Sequence, residues 1–231
     1  MPLFSAGKTA MTRAQIEAAA AAGNAELSRV NFTGIDLSGV NLAGANLRSA
    51  DLRGAVLVGA NLAGADLTRA NLRKANLAQA NLTEAKLEGV NLYNANLVQA
   101  VFCRAVLIRT LLAKSDMTRA DFSYSQARLA DLGFSTLDLA DFTGADLRET
   151  SLYLAKGSGT VFCSANLTKA TMEHCRLADA DLTGAILQSA NLVDADLSEA
   201  TVERAIFNMA RYDNQTKLPR NLSGRTPGVH W

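Results

Sequence analysis

The stretch ADLRGAVLVGANLAGADLTRANLRKANLAQANLTEA, residues 50–85, repeats a pattern every five residues. Each unit has a large apolar residue, which we call the centre, and a small residue two positions earlier, which we call the small position. The residue between them is often Asp or Asn, and the two residues after the centre are mostly polar, charged or Gly. A period of five matches neither the period of a helix nor that of a strand.

The pattern continues without insertion from Leu27 to Tyr212, which makes 38 units. Of the 38 centres, 26 are Leu, six are Phe and two are Met. Two inward residues of fixed size and three outward residues per unit predict a chain that turns a corner at every unit. Four such units would close a square coil of about 20 residues, and stacked coils would bury one continuous core.

The motif A(D/N)LXX resembles the pentapeptide-repeat family, and the resemblance covers residues 25–214. It implies an all-β fold, a right-handed quadrilateral β-helix, with Leu or Phe in the interior and Ala packed beside it. This solenoid would have about nine to ten coils, stacked at about 4.8 Å per coil. An N-terminal segment, residues 1–24, would precede it. An irregular tail, residues 215–231, would follow, and Leu218 and Trp231 would fold back over the last coil.

The N-terminal segment carries the signals of a short helix. Thr12 followed by Gln15 matches a capping box, an alanine run favours helix, and Gly23 is a natural stop. We expect a helix over residues 12–22 that covers the open first coil. Without such a cover, the unpaired backbone edge of that coil would promote aggregation.

Two features of the core are unusual. Four Phe centres stand 20 residues apart, so their rings should stack along one interior face: Phe102, Phe122, Phe142 and Phe162. Two other centres, Ala127 and Gly157, are small. Because glycine cannot fill the core, we predict a local bulge or a shallow void within residues 154–162, with the phase of the repeat kept on either side.

The charge of the chain is balanced overall but not along its length. Lys and Arg number 23 against 22 Asp and Glu, a formal net charge of +1, which marks no nucleic-acid binder. Residues 1–120 hold 13 basic and 8 acidic side chains, whereas residues 121–231 hold 10 and 14. Basic residues gather on the early coils, at Arg48, Arg53, Arg69, Arg73, Lys74, Arg109 and Lys114. A solvated face explains them better than a site for phosphate or an acidic partner, because no aromatic residues are interleaved with them.

The sequence contains no pattern of residues that is typical of a catalytic site or a metal site. Cys103, Cys163 and Cys175 are an odd number without CxxC spacing, which argues against a disulfide framework and a zinc site and favours a reducing compartment. We expect Cys175 to be an inert core thiol and His174 to be solvated. No run of about 18 apolar residues could span a membrane. We therefore predict a cytoplasmic protein that is not an enzyme, with no catalytic, cofactor-binding or metal-binding residues.

In such a scaffold the function must depend on outward residues that are apolar where the repeat usually has a polar residue. The face whose centres are Leu92, Leu112, Leu132 and Leu152 does so, and we call it the tyrosine face. We predict that it binds a partner protein, or a second copy of the chain, through Tyr93, Leu111, Phe134, Tyr153 and Leu154. Further outward apolar residues are Val101, Val106, Ile108, Ala113, Leu129, Leu139 and Val161. Single exposed hydrophobic residues are normal, but a column over three to four coils favours an interface.

The best-known activity in the pentapeptide-repeat family is the protection of type II topoisomerases from drugs by a rod that resembles duplex DNA. That branch implies a strongly acidic surface, often a projecting loop, and a hydrophobic C-terminal module for dimerisation, and this sequence departs on each count. We predict a non-catalytic structural or protein-interaction scaffold, with no membrane or specific nucleic-acid partner. The alternative is a DNA-mimicking modulator of a topoisomerase (gyrase) that uses Asp179, Asp181, Asp194, Asp196, Glu199 and Glu203.

Overall fold

The structure is a computed structural model that describes residues 11–22, 25–219 and 222. Gly23, the predicted helix stop, and Trp231, the predicted cover of the last coil, lie outside these residues. Within them, α1 (Arg13–Ala21) is followed by a long solenoid.

The N-terminal helix begins with the capping box that its sequence predicts. The Thr12 hydroxyl accepts a hydrogen bond from the Gln15 amide, and the Gln15 side chain accepts one from the Thr12 amide at 2.8 Å. Two N–H groups that the first turn leaves without helical partners are thereby satisfied. Ile16 is fully buried and belongs to the same hydrophobic cluster as the repeats.

The solenoid is built from single-residue parallel β-bridges in place of longer strands. The residue before each centre bridges the residue 20 positions later, as Asn31 does with Asp51. The amide of Leu37 donates to the carbonyl of Val56 at 2.7 Å, and the Val56 amide donates back to the carbonyl of Ile35 at 2.8 Å. Four five-residue units therefore make one coil, and each coil is hydrogen-bonded to the next.

The last bridge joins Asp196 to Lys217, which are 21 residues apart. One extra residue enters the turn after Tyr212, so the ladder continues past residue 214. Leu218 and Leu222 are partly buried against the core at this end.

Almost all centres and small positions are buried and form one core. The predicted stack of phenyl rings is confirmed, with centroids 4.5 Å apart for Phe102 and Phe122, 4.9 Å for Phe122 and Phe142, and 5.2 Å for Phe142 and Phe162. Each fully buried Leu or Phe contributes on the order of 2 kcal/mol to folding.

In the middle coils, Ser or Thr replaces Ala at six buried small positions: Thr110, Ser115, Ser125, Ser135, Thr150 and Thr160. Five of these hydroxyls donate to a backbone carbonyl, for example Ser135 to Leu132 at 2.6 Å. The hydroxyl of Ser125 has no hydrogen-bond partner among the described residues.

Of the two alternatives predicted for residues 154–162, a bulge or a shallow void, the void is absent beside Gly157. A Cβ placed on Gly157 would lie 2.1 Å from the Thr160 hydroxyl and 3.0 Å from the Leu137 Cβ, so this space is occupied. The turn is nevertheless irregular, because the amides of Ser158 and Gly159 donate to the side chains of Asp138 and Asp179. The phase of the repeat is kept on either side of it.

Candidate functional site

An open groove of about 490 Å³ crosses the tyrosine face. Tyr93, Ala113, Gly133 and Tyr153 occupy the same place in four successive coils, directly after the centre. Ala113 and Gly133 are buried and form the floor, and the two tyrosines close the ends. The groove exists because two consecutive coils carry almost no side chain at a position where their neighbours carry a large one. Its length is three coil spacings, about 14 Å.

Phe134 and Lys114 form one side of the groove. Phe134 is 52% exposed, and its ring packs edge to face against Tyr153 with centroids 5.5 Å apart. The Lys114 ammonium lies 5.7 Å from the ring centroids of both Tyr93 and Phe134. The Arg73 guanidinium lies 4.9 Å from the ring centroid of Tyr93. Cations at these distances are attracted to the faces of the rings, so the aromatic walls are held in place and carry positive charge.

The opposite side of the groove is polar. Asp131, Ser151 and Thr171 line it. An oxygen of Asp131 accepts a hydrogen bond from the amide of Gly133 at 2.9 Å, which fixes the carboxylate beside the floor. Leu111, in the coil before Asp131, is 46% exposed but does not line the groove.

Leu154 lines a second, smaller cavity of about 180 Å³ together with His174 and Asp194. His174 is an outward residue whose side chain is 40% exposed, as expected, but it also has partners that the sequence did not indicate. Its Nδ1 lies 2.6 Å from a carboxylate oxygen of Asp194, and its ring meets Tyr153 edge to face at 5.6 Å. His174 therefore supports the far wall of the groove.

The structure thus brings three of the five predicted partner-binding residues, Tyr93, Phe134 and Tyr153, around one groove, and places Leu111 and Leu154 beside it. The sequence reasoning missed Tyr124, which is exposed on another face. The second residue after almost every centre is a corner where φ is positive. At the four corners of one coil stand exposed hydrophobic residues, which we call the hydrophobic belt: Tyr124, Leu129, Phe134 and Leu139. Inspection of every fifth residue along one coil would have found it.

Cys175 is fully buried, as expected for a core thiol. Burial raises the pKa of Cys175 to about 12. Cys163 is only partly buried, but desolvation and the hydrogen bond to Asp181 raise its pKa to about 11. The described part of the chain contains no group of His, Cys, Asp and Glu side chains arranged to bind a metal ion. No helix in it has the length and apolar character needed to cross a membrane.

Local partners neutralise many charges. Arg48 pairs with Asp66 at 3.0 Å and Arg53 with Asp51 at 2.6 Å. The six acidic residues proposed for DNA mimicry are spread over three faces of the solenoid and form no single stripe. One of them, Asp196, pairs with Lys217 at 2.9 Å.

Eight copies of the family model for pentapeptide repeats match the chain, the first at residues 25–62 and the last at residues 175–210. Together they extend without a gap over residues 25–210.

Several solved structures are similar to this chain. HetL, a pentapeptide repeat protein involved in heterocyst differentiation regulation from the cyanobacterium Nostoc sp. strain PCC 7120, is 28% identical; the match covers 87% of this chain and 94% of HetL, with a TM-score of 0.30. QnrB1, a plasmid-mediated fluoroquinolone resistance protein, is 16% identical over 80% of this chain and 90% of its own, with a TM-score of 0.43. Rfr23, a pentapeptide repeat protein from the cyanobacterium Cyanothece 51142, is 20% identical over 71% and 90%, with a TM-score of 0.23. No curated protein matches the chain.

Proposed function

Since the chain belongs to the pentapeptide-repeat family, we propose that it is a non-catalytic protein-interaction scaffold that binds a protein partner through the tyrosine face. The groove between Tyr93 and Tyr153 carries this proposal. Its two small floor residues leave room for a side chain of the partner, and its aromatic walls are of the residue types that protein interfaces favour.

The groove is built to present these residues rigidly. Each wall residue follows a buried centre, and the Phe134 amide donates to the Tyr153 carbonyl at 2.8 Å, which joins the two aromatic residues through the backbone. Tyrosine offers a large contact area with few rotatable bonds, so little entropy is lost on binding. The polar groups at the groove serve the local turn, as Asp131 does with the Gly133 amide, which supports a binding role over a catalytic one.

In this proposal the solenoid is a right-handed quadrilateral β-helix of about nine to ten coils, and α1 covers its first coil. The buried Ile16 on α1 supports the covering role. We expect the protein to act in the cytoplasm, where its three cysteines would remain thiols.

Partner capture tests the proposal. Wild-type protein and the Phe134→Ser/Tyr153→Ser variant are immobilised and exposed to lysate of the source organism at low and high salt. The Tyr124→Ser/Leu139→Ser variant serves as a matched control, because it removes two exposed hydrophobic residues from other faces. We expect wild type and control to retain a protein that the Phe134→Ser/Tyr153→Ser variant loses, and we expect high salt to leave it bound.

Two outcomes would contradict the proposal. If all three proteins retain the same set, the tyrosine face binds no partner. If they all retain topoisomerase subunits that high salt releases, the DNA-mimicking alternative is favoured, since screening weakens charge mimicry but not apolar contact.

A further inference from the structure

The tyrosine face is nearly symmetric about the midpoint between Ala113 and Gly133. The residues that directly follow the centres of this face form a column. From the midpoint of the column, each direction contains a small residue, then a tyrosine, then a charged residue. The six residues in chain order are Arg73, Tyr93, Ala113, Gly133, Tyr153 and Glu173. The two charged residues have opposite sign and lie at the same distance from the midpoint, about 12 Å at the coil spacing of a β-structure.

The remaining charges of this face follow the same division. Before the midpoint the outward residues of the face include one carboxylate and four cations: Asp51, Arg53, Arg73, Lys74 and Lys114. After it they include four carboxylates, one fixed cation and a histidine: Asp131, Glu173, His174, Asp194, Arg211 and Asp213. The charge reversal of the whole chain is therefore present on this one face, with the groove at the boundary.

Several of these charges are available to a partner. Arg73 and Lys74 are exposed and make no ion pair with any residue that the structure describes. Glu173 is half-buried and accepts a hydrogen bond from the neutral amide of Asn191, so its charge is not compensated there. Asp194 is exposed beside His174.

We propose that the tyrosine face binds a second copy of this chain in antiparallel orientation. This inference rests on the proposed function and names the partner of the same groove. A two-fold axis between Ala113 and Gly133, perpendicular to the solenoid, brings Arg73 opposite Glu173 of the second copy and Tyr93 opposite its Tyr153. The contact is isologous, so every pair occurs twice.

The same axis places the side of the groove formed by Lys114 and Phe134 opposite the same side of the second copy. It brings Lys114 opposite Phe134 of the second copy, a combination that already attracts within one chain at 5.7 Å. The small floor residues Ala113 and Gly133 of the two copies face each other across the axis. A parallel arrangement would bring Arg73 opposite Arg73, and a uniformly acidic partner would be repelled by the half of the face that contains Glu173.

Charge reversal with rescue tests the orientation. Arg73→Glu/Lys74→Glu reverses the basic half, Glu173→Arg/Asp194→Lys reverses the acidic half, and a quadruple variant combines them. Each new residue type already occupies the equivalent position of another five-residue unit: Arg53 and Lys114 on the same face, and Glu88 and Glu84 on other faces. Arg104→Glu/Arg119→Glu is the matched control, since it reverses two exposed cations on other faces. Sedimentation equilibrium measures the dimer dissociation constant, and circular dichroism confirms that each variant is folded.

We expect wild type and control to dimerise equally. Each half-reversed variant should raise the dissociation constant by about tenfold or more, and the quadruple variant should recover most of the affinity. A folded wild type that is monomeric at every concentration overturns the inference, as does a quadruple variant that is no better than its parents. The two proposals can fail separately. If the wild type is monomeric but still captures a protein that the Phe134→Ser/Tyr153→Ser variant loses, the dimer is excluded and the proposed function stands.

Discussion

The hydroxyl of Thr160 occupies the space that a side chain at Gly157 would need, since a Cβ on Gly157 would lie 2.1 Å from it. Gly157→Ala should therefore lower the free energy of unfolding by about 2 kcal/mol or more through overpacking, measured by urea denaturation. Gly157→Leu should be worse, although Leu is the residue at most other centres.

Gly44→Ala is the control for this prediction. Gly44 has a φ of +67° and nothing within 4 Å of its Cβ position, so only backbone strain of about 1 kcal/mol is expected. Thr160→Ala in the Gly157→Ala background should recover part of the loss. Equal effects of Gly157→Ala and Gly44→Ala would contradict the overpacking explanation.

The repeat predicted the fold, because its period directly reports which residues face inward. The irregular unit at Gly157 was also visible in the sequence, but its consequence was not. The expectation of a void considered only the missing Leu at the centre, whereas Thr160 and Leu137 fill the space from neighbouring positions. Packing between units depends on the direction in which each side chain points, and the repeat pattern in the sequence does not give this direction.

Ser125 and Ser135 occupy equivalent buried small positions with different hydrogen bonding. The Ser135 hydroxyl donates to the Leu132 carbonyl at 2.6 Å, whereas the Ser125 hydroxyl has no partner among the described residues. Ser125→Ala should raise the free energy of unfolding by about 1 kcal/mol, and Ser135→Ala should lower it by about 1 kcal/mol. Thermal or urea unfolding of the two variants checks this, and effects of the same sign would contradict it.

The candidate site was only partly predictable. Tyr93, Phe134 and Tyr153 were found because they interrupt a polar column, and a strict period places such residues on one face. The groove between them was not expected, because it depends on the small size of Ala113 and Gly133, which look unremarkable in a repeat rich in Ala and Gly. The support of Tyr153 by His174 depends on ring orientation and was missed for the same reason.

Acid should destabilise the irregular turn. The Gly159 amide and the Ser158 hydroxyl donate to the Asp179 carboxylate at 2.9 and 2.8 Å and hold its pKa below the usual value of 3.8. A lowered pKa contributes stability that is present above 3.8 and is lost as the pH falls through the lower folded value. Thermal unfolding between about pH 6 and about pH 2 should show this loss, and Asp179→Asn should reduce the slope.

Asp36→Asn should reduce the acid dependence in the same direction, because the Ser38 hydroxyl and amide lower the pKa of Asp36. An acid profile that neither substitution changes would contradict the assignment of this stability to the turn carboxylates.

Phe134 occupies a corner at which the backbone favours glycine. Its φ is 59°, and Gly34 and Gly54 fill the same corner in earlier coils. Phe134→Gly should relieve about 1 kcal/mol of backbone strain and lose a similar amount of contact with Tyr153, so the free energy of unfolding should change by less than about 1 kcal/mol. Partner capture and dimerisation should nevertheless be lost, because the wall of the groove is removed. Arg119→Gly, at a corner of another face with φ 58°, should leave both intact. If Phe134→Gly instead unfolds the protein and Arg119→Gly does not, Phe134 belongs to the structural core and not to a binding surface.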